Sequence, residues 1–136
     1  MKRIAFAAVL LALASAQEKK SVDAQVSKLQ WTAGSPPGVP PGIEQKLLHA
    51  NPDNKLQSAL VRFPKGFTEP RHYHKTCGHS IYILKGRIRT PNGVMTPGSF
   101  SYAAVNEAHG PFTAEQETEF LFYTDGPFDY HLADKK

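Results

Sequence analysis

The chain has 136 residues, enough for one domain around a single core, and a formal net charge of +4. Its basic residues are scattered rather than grouped in runs, which argues against a nucleic-acid partner. Its single cysteine, Cys77, excludes an internal disulfide, so stability must come from the core, a metal or a partner chain.

The first sixteen residues have the organisation of a secretory signal peptide. Lys2 and Arg3 form a basic start, residues 4–13 are apolar, and small residues end the segment at Ala16. The apolar run is too short to span a bilayer by itself, so we expect no membrane partner. We expect cleavage near Ala16 and a secreted or periplasmic protein, with a buried N-terminal helix as the alternative.

We predict an N-terminal arm and a connector at residues 17–42, ahead of the main domain, which we place at residues 43–136. Residues 21–32 are polar and predict an arm or a first strand. Residues 34–42, GSPPGVPPG, contain prolines that lack an N–H donor, so they cannot form a helix or a central strand. We expect them to form an extended surface connector.

From residue 43 onward, short apolar or alternating runs are separated by Gly, Pro, Asn and Asp. This pattern is typical of an all-β sandwich or barrel, and we predict a small antiparallel barrel or jelly roll. The predicted strands cover residues 43–49, 56–63, 71–74, 79–84, 87–90, 100–104, 118–124 and 128–132.

Three of the six histidines lie within the eight residues from 72 to 79. His72 and His74, two apart on a strand, point to the same face. Residues 75–78 have the length of a hairpin loop, and His79 starts the returning strand on the face that carries two isoleucines. If that face is the core, three imidazoles converge in a barrel mouth, which suits a late first-row metal. The alternative for His72 and His74 is a pair of solvated side chains.

The spacing of these histidines carries a family resemblance. Gly66-x5-His72-x-His74-x4-His79-x6-Gly86 resembles the first motif of the cupin superfamily, in which a glutamate stands at the position of His79. A second cupin motif is matched more loosely between Gly98 and His109, where Asn106 can adopt the left-handed conformation that a turn needs. The resemblance implies a cupin jelly roll in which His72, His74, His79 and His109 hold one metal ion.

The exchange of glutamate for histidine bears on the metal. Four imidazoles with no carboxylate favour copper, nickel, iron or zinc over the hard, oxygen-seeking ions. Among these we favour copper as a redox metal, and manganese stays possible. The short exported chain and its all-histidine site also resemble the copper-dependent cellulose-oxidising cupins. That resemblance implies oxidative cleavage of a cellulose-type polysaccharide by oxygen or peroxide.

Two other functions stay open from the sequence. One is an iron, nickel or manganese dioxygenase or isomerase that acts on a small molecule, and the other is a non-enzymatic metal- or sugar-binding module. Because small cupins commonly dimerise by adding strands edge to edge, we also expect a homodimer, with residues 21–32 as a possible exchanged strand.

The other candidate residues have less support. We expect His49 and His131 at the surface, and Cys77 as a small apolar residue near the rim of the metal site. Glu107, two residues before His109, is the candidate to orient that ligand.

Overall fold

The structure is a computed structural model and describes residues 21–134. The predicted signal peptide therefore lies outside the described residues. Within them, no helix is long and apolar enough to cross a membrane. The elements are one 3-10 helix, Val26–Lys28, and twelve strands: β1 Thr32–Ala33, β2 Glu44–Ala50, β3 Gln57–Phe63, β4 Thr68–Glu69, β5 His72–Tyr73, β6 His79–Lys85, β7 Ile88–Thr90, β8 Gly93–Met95, β9 Phe100–Ala103, β10 Phe112–Ala114, β11 Thr118–Thr124 and β12 His131–Leu132.

The strands form three antiparallel sheets. The largest has six strands in the order β1-β2-β3-β11-β6-β9, the second has four in the order β4-β10-β7-β8, and the third pairs β12 with β5. Neighbours in each sheet run antiparallel throughout. The structure confirms the predicted all-β jelly-roll barrel.

The core follows from the alternation of side chains along β3 and β11. Ala59, Val61 and Phe63 are buried on one face of β3, as the sequence pattern predicts. Phe120 of β11 pairs with Val61 and packs edge-on against Phe63, with ring centroids 5.2 Å apart. Burial of one such aromatic side chain stabilises the fold by roughly 2 kcal/mol.

The long predicted strands are confirmed to within one or two residues. The structure adds β4, β8 and β10, which the sequence analysis did not predict, because strands of two or three residues show no measurable periodicity. The first strand considered for residues 21–32 is reduced to β1, at the end of that range. The strand predicted at residues 128–132 is reduced to β12, and the one at 71–74 is reduced to β5.

The hairpin predicted between His74 and His79 is wrong. β5 pairs with β12 rather than with β6, and residues 75–78 cross from the two-stranded sheet to the six-stranded one. The N–H of Gly78 donates to Oδ1 of Asp125 at 2.6 Å, and the N–H of Asp125 donates back to the Gly78 carbonyl at 3.1 Å. The histidines on either side of this crossing therefore come from two different sheets.

The arm and the connector both pack on the barrel. Trp31 lies under the cations of Arg62 and Lys46, at 4.0 and 4.8 Å from its ring centroid. The arm thus covers the outer face of β2 and β3. We expected the connector to lie at the surface, but one of its residues, Val39, is buried in the hydrophobic core.

Candidate metal centre

Four histidine side chains meet inside the barrel. His72 lies in β5, His74 directly follows that strand, and His79 opens β6. His109 comes from the loop before β10. Two main-chain hydrogen bonds hold it beside His72: the N–H of His72 donates to the carbonyl of His109 at 2.9 Å, and the N–H of His109 donates to the carbonyl of His72 at 2.8 Å. One ring nitrogen from each of the four lies within 4.8 Å of the other three.

The direction of these side chains agrees with the strand parity of the sequence. His72, His74 and His79 are only 2%, 1% and 8% exposed, and His109 is half-buried. The alternative of two solvated side chains at 72 and 74 is therefore wrong. Asn106 takes the expected left-handed conformation, with φ of 65°, and its N–H donates to the carbonyl of His74 at 2.7 Å. That bond ties the loop that carries His109 to the other ligand segment.

Main-chain carbonyls orient three of the four rings. Nδ1–H of His72 donates to the carbonyl of Pro70 at 2.8 Å, and Nδ1–H of His109 donates to that of Glu107 at 2.9 Å. Nδ1–H of His74 donates to the carbonyl of Asp129. Bonds of this kind fix the tautomer, so Nε2 of each ring keeps its lone pair for a metal. Glu107 thus orients His109 as expected, but through its main-chain carbonyl rather than its carboxylate.

His79 is held differently. Its Nδ1 is buried and has no hydrogen-bond partner among the described residues, and its ring packs against Phe122 with centroids 5.0 Å apart. Its Nε2 lies 3.1 Å from Nε2 of His109. Two nitrogens bound to one metal at about 2.0–2.1 Å have a spacing of roughly 3 Å.

A metal ion fits this donor set. Nε2 of His74 is also buried without a partner among the described residues, which is costly unless a ligand or an ion occupies the centre. The four-histidine group can therefore hold one metal ion. The same atoms would be left unpaired by a purely structural packing of the rings.

The protonation of the four rings favours metal binding at neutral pH. Burial, followed by the charges of the neighbouring histidines, lowers the pKa of His79 to about 3. Burial is also the main cause for His72, whose pKa falls to about 3, and for His74 and His109, whose pKa values fall below their ordinary value. Since an imidazole binds a metal in its neutral form, none of the four has to release a proton first.

The rings face a cavity of about 890 Å³ inside the barrel. This volume falls within the usual range of small-ligand sites, roughly 300–1,000 Å³. Its walls are mostly apolar and include Ile43, Val61, Ile81, Phe112, Phe120 and Phe122.

Two polar residues in this cavity were missed by the sequence analysis. Glu69 of β4 has Oε1 3.9 Å from Nε2 of His72, and burial raises the pKa of its carboxyl group to about 8. Tyr130 stacks on His72 with centroids 4.3 Å apart and planes 19° apart. Burial, followed by the charge of Glu69, raises the pKa of its hydroxyl. Glu69 stands three residues before His72, which was a usable signal, whereas nothing in the sequence distinguishes Tyr130.

Asp129 anchors the loop that follows the first two histidines. Its carboxylate accepts hydrogen bonds from the N–H groups of Lys75 and Thr76, at 2.9 and 3.1 Å, and from Oγ1 of Thr76 at 2.7 Å. Nε2 of His131 lies 2.6 Å from the same carboxylate. Burial alone would raise the pKa of Asp129, but these hydrogen bonds lower it. His131 therefore lies outside the four-histidine group.

Cys77 lies close to His74 and Asp129. Its side chain is buried and near Asp129. Burial also raises the pKa of its thiol. This agrees with a small apolar residue and leaves the thiol poorly placed for a bond to another chain.

The barrel, the H-x-H spacing and the inward-facing histidines define a cupin with a metal-binding centre. The chain belongs to the ChrR cupin-like domain family, whose model matches residues 19–129. It is also 29% identical over 104 residues to the DNA damage-repair/toleration protein DRT102 of Arabidopsis thaliana. That match covers 72% of this chain but 32% of the relative, so the chain spans about a third of the length of that curated protein.

Solved structures support the same fold. The polyketide cyclase RemF of Streptomyces resistomycificus aligns with a TM-score of 0.69 and 16% identity, over 86% of this chain and 88% of its own. An acetylacetone dioxygenase of Acinetobacter johnsonii aligns with a TM-score of 0.59 and 20% identity, over 77% of this chain and 76% of its own. At these identities the likeness concerns the fold.

Proposed function

We propose that the protein is a secreted mononuclear metalloenzyme that holds copper with His72, His74, His79 and His109 and oxidatively cleaves a cellulose-type polysaccharide with oxygen or peroxide. The observation that carries the choice of metal is the donor set of four neutral imidazole nitrogens. The carboxyl group of Glu69 lies 3.9 Å from Nε2 of His72, and burial raises its pKa to about 8, so it is uncharged at neutral pH. Imidazole nitrogens bind copper more favourably than they bind metal ions that prefer oxygen ligands. Copper at this position supplies one-electron redox chemistry.

The residues of the chain supply orientation and protection. The carbonyls that accept from His72, His74 and His109 hold these rings toward a common point. His79 has no such restraint on Nδ1, so it is the ring best able to shift and open a position for substrate. The walls of the cavity are mostly apolar, which disfavours water beside the reacting group and so limits side reactions.

The burial of the site restricts how a polymer can reach it. Because three of the four imidazoles are at most 8% exposed, an internal bond of a packed fibre cannot approach the centre. A chain end or a soluble oligosaccharide can enter a cavity of about 890 Å³. Cello-oligosaccharides are therefore the first substrates to test.

The test incubates copper-loaded protein and cellohexaose with ascorbate, with and without peroxide, and searches for oxidised oligosaccharides by mass spectrometry. We expect products from the wild type and at least a tenfold loss in His72→Ala and His74→Ala, because each removes an oriented ligand. Metal-free protein and free copper at the same concentration are the controls. Full oxidative activity in both variants would disprove the proposal.

A second function is favoured by the mostly apolar cavity. Such a cavity suits a small molecule, and two proteins of similar fold are named for small-molecule reactions, an acetylacetone dioxygenase and a polyketide cyclase. In that case the metal would be iron, nickel or manganese. Metal analysis of protein purified without added metal, together with electron paramagnetic resonance for Cu(II), separates the two. Tight copper binding with no product would instead indicate a binding module.

A further inference from the structure

Two carboxamide side chains, those of Gln45 and Gln57, line the cavity on the wall that β2 and β3 form. Gln57 stands two residues before Ala59 and therefore shares the buried, inward face of β3. Gln45 of β2 lies directly opposite Val61 of that same face. Since residues opposite each other in an antiparallel pair project to one side of the sheet, Gln45 also points into the barrel.

Both amides are available to a ligand. Neither side-chain amide makes a hydrogen bond to another residue in the described part of the chain, because the bonds of these two residues use main-chain groups. The N–H of Gln57 donates to Oγ1 of Thr124 at 2.9 Å, and the carbonyl of Gln45 accepts from Oγ1 of Thr32 at 3.2 Å. The other cavity residues of this wall are apolar: Ala59, Val61 and Phe63. Isolated polar groups in an apolar cavity fix the orientation of what binds there.

Strand register sets where each amide lies relative to the metal centre. Thr124 of β11 pairs with His79 and accepts the N–H of Gln57, so Gln57 is two strands away from His79. Two strand spacings amount to roughly 10 Å between the backbones. Gln45 lies opposite Val61, four residues further along β3, which places it roughly 13 Å from Gln57. One amide is therefore at the metal end of the wall and the other at its far end.

This arrangement specifies the chemistry of a ligand. A carboxamide has two N–H donors and one acceptor oxygen and carries no charge, so it pairs in both directions with neutral hydroxyl groups. A separation of roughly 13 Å corresponds to about two or three linked sugar rings. A compact diketone is too short to contact both amides. The wall therefore suits an elongated, uncharged molecule with hydroxyl groups at both ends.

We propose that Gln45 and Gln57 form a two-point binding site for the hydroxyl groups of a short neutral oligosaccharide, with the Gln57 end beside the four-histidine centre. The identity of the ligand as a sugar rests on the proposed function, whereas the two-point spacing rests on the strand register. Contact at both ends selects which ring of the oligosaccharide lies next to the metal. The two glutamines are therefore specificity residues.

The test measures binding to zinc-loaded protein, in which no redox reaction occurs, by isothermal titration calorimetry. The long probe is cellotriose, and the short probe is acetylacetone. Gln45→Met and Gln57→Met each remove the amide but keep a side chain of similar length. The matched control is Gln116→Met, which makes the same change at an exposed position outside the cavity.

We expect Gln45→Met and Gln57→Met each to weaken cellotriose binding about tenfold, the loss of one good hydrogen bond. The double variant should lose about a hundredfold, because residues this far apart act independently. Gln116→Met should match the wild type. The affinity of Gln45→Met for acetylacetone should stay within about twofold of wild type, because a molecule bound at the metal end cannot reach Gln45.

Three results overturn the inference: no binding of cellotriose by the wild type, wild-type affinity for cellotriose in either single variant, or an equal loss of acetylacetone binding in Gln45→Met. The last would mean that the change disturbs the whole cavity. Product assays with copper and ascorbate separate this inference from the proposed function. Amide-dependent binding of cellotriose without oxidised product keeps the binding site and rejects the function, whereas equal product from the wild type and both variants does the reverse.

Discussion

At the scale of single residues, the four histidines are not equivalent. Three of them have Nδ1 fixed by a main-chain carbonyl, whereas Nδ1 of His79 is buried without a partner in the described chain. Loss of an orienting partner typically costs 10–100-fold in metal affinity. We therefore expect His79, which stands where the cupin motif has a glutamate, to be the weakest of the four donors.

This difference predicts a graded response to ligand removal. We expect His79→Ala to bind copper at least tenfold more tightly than His72→Ala or His74→Ala, since each of those removes an oriented donor. Competition titration against a chelator of known copper affinity measures the three constants. His49→Ala, in β2 and outside the group, serves as the control and should match the wild type. Equal losses at all three ligand positions would contradict the graded order.

Residue patterns were sufficient for the ligands but not for their surroundings. The two-residue spacing of His72 and His74 and the shared face of His79 and Ile83 predicted four converging rings once the resemblance supplied His109. Tyr130 was missed because its position depends on the pairing of β12 with β5, a contact between residues almost sixty apart. No local pattern encodes such a pairing.

At the scale of the elements, β9 is one of the two edges of the largest sheet. It pairs with β6 on one side only within the described chain, and its residues Phe100 and Tyr102 are 64% and 53% exposed. An unpaired apolar edge is a template for pairing with another strand. An antiparallel β9 from a second copy would cover both aromatic rings and complete the hydrogen bonds of both edges.

We therefore expect a homodimer that Phe100→Glu converts to a monomer, because the new carboxylates would face each other across the two-fold axis. Sedimentation equilibrium gives the mass directly. The matched control is Leu47→Glu, which places a carboxylate at another exposed position, 52% against 64% for Phe100, on β2 and far from the β9 edge in the sheet order. A monomeric wild type, or a dimer that survives the change at Phe100, rules out this edge as the interface.

The elements also show where local patterns stop predicting the fold. β3, β6 and β11 each have seven residues and clear alternation or apolar runs, and their predicted bounds agree with the structure. β4 and β10 have two or three residues each and are defined by pairing with each other. The interpretation of residues 75–78 as a hairpin failed for a similar reason, since loop length does not specify which sheet the next strand joins.

At the scale of the whole molecule, the metal site sets the response of the metal-free protein to acid. His72 and His79 have pKa values of about 3 in the folded chain, against an ordinary 6.5 when exposed. Below pH 6.5 the unfolded chain therefore binds protons that the folded chain cannot, so stability falls as pH falls. His74 and His109, whose pKa values are also lowered by burial, act in the same direction.

One neighbouring group opposes this trend. The pKa of Glu69 is raised from 4.5 to about 8, so between these values the folded chain binds a proton that the unfolded chain lacks. The contribution of Glu69 to stability is therefore lost as pH rises, which is the opposite direction. Glu69 changes the proton count on unfolding by one, whereas His72 and His79 together change it by up to two. Well below pH 6.5, where exposed histidines are almost fully protonated, the net uptake on unfolding is therefore about one proton, or about 1.4 kcal/mol per pH unit, and it shrinks toward pH 6.5.

Thermal unfolding of metal-free protein between pH 7.5 and 4.5 measures this slope. We expect the melting temperature to fall steadily below pH 6.5, by roughly 4–8 °C for each kcal/mol lost. The variant His72→Phe, which removes one buried imidazole, should show a shallower slope, while His49→Gln should keep the full slope. Bound zinc should raise the melting temperature at pH 7.5 and lose this effect in acid, because protons and metal compete for the same nitrogens. A melting temperature that stays constant from pH 6.5 to 4.5 would show that the four rings are not buried in neutral form.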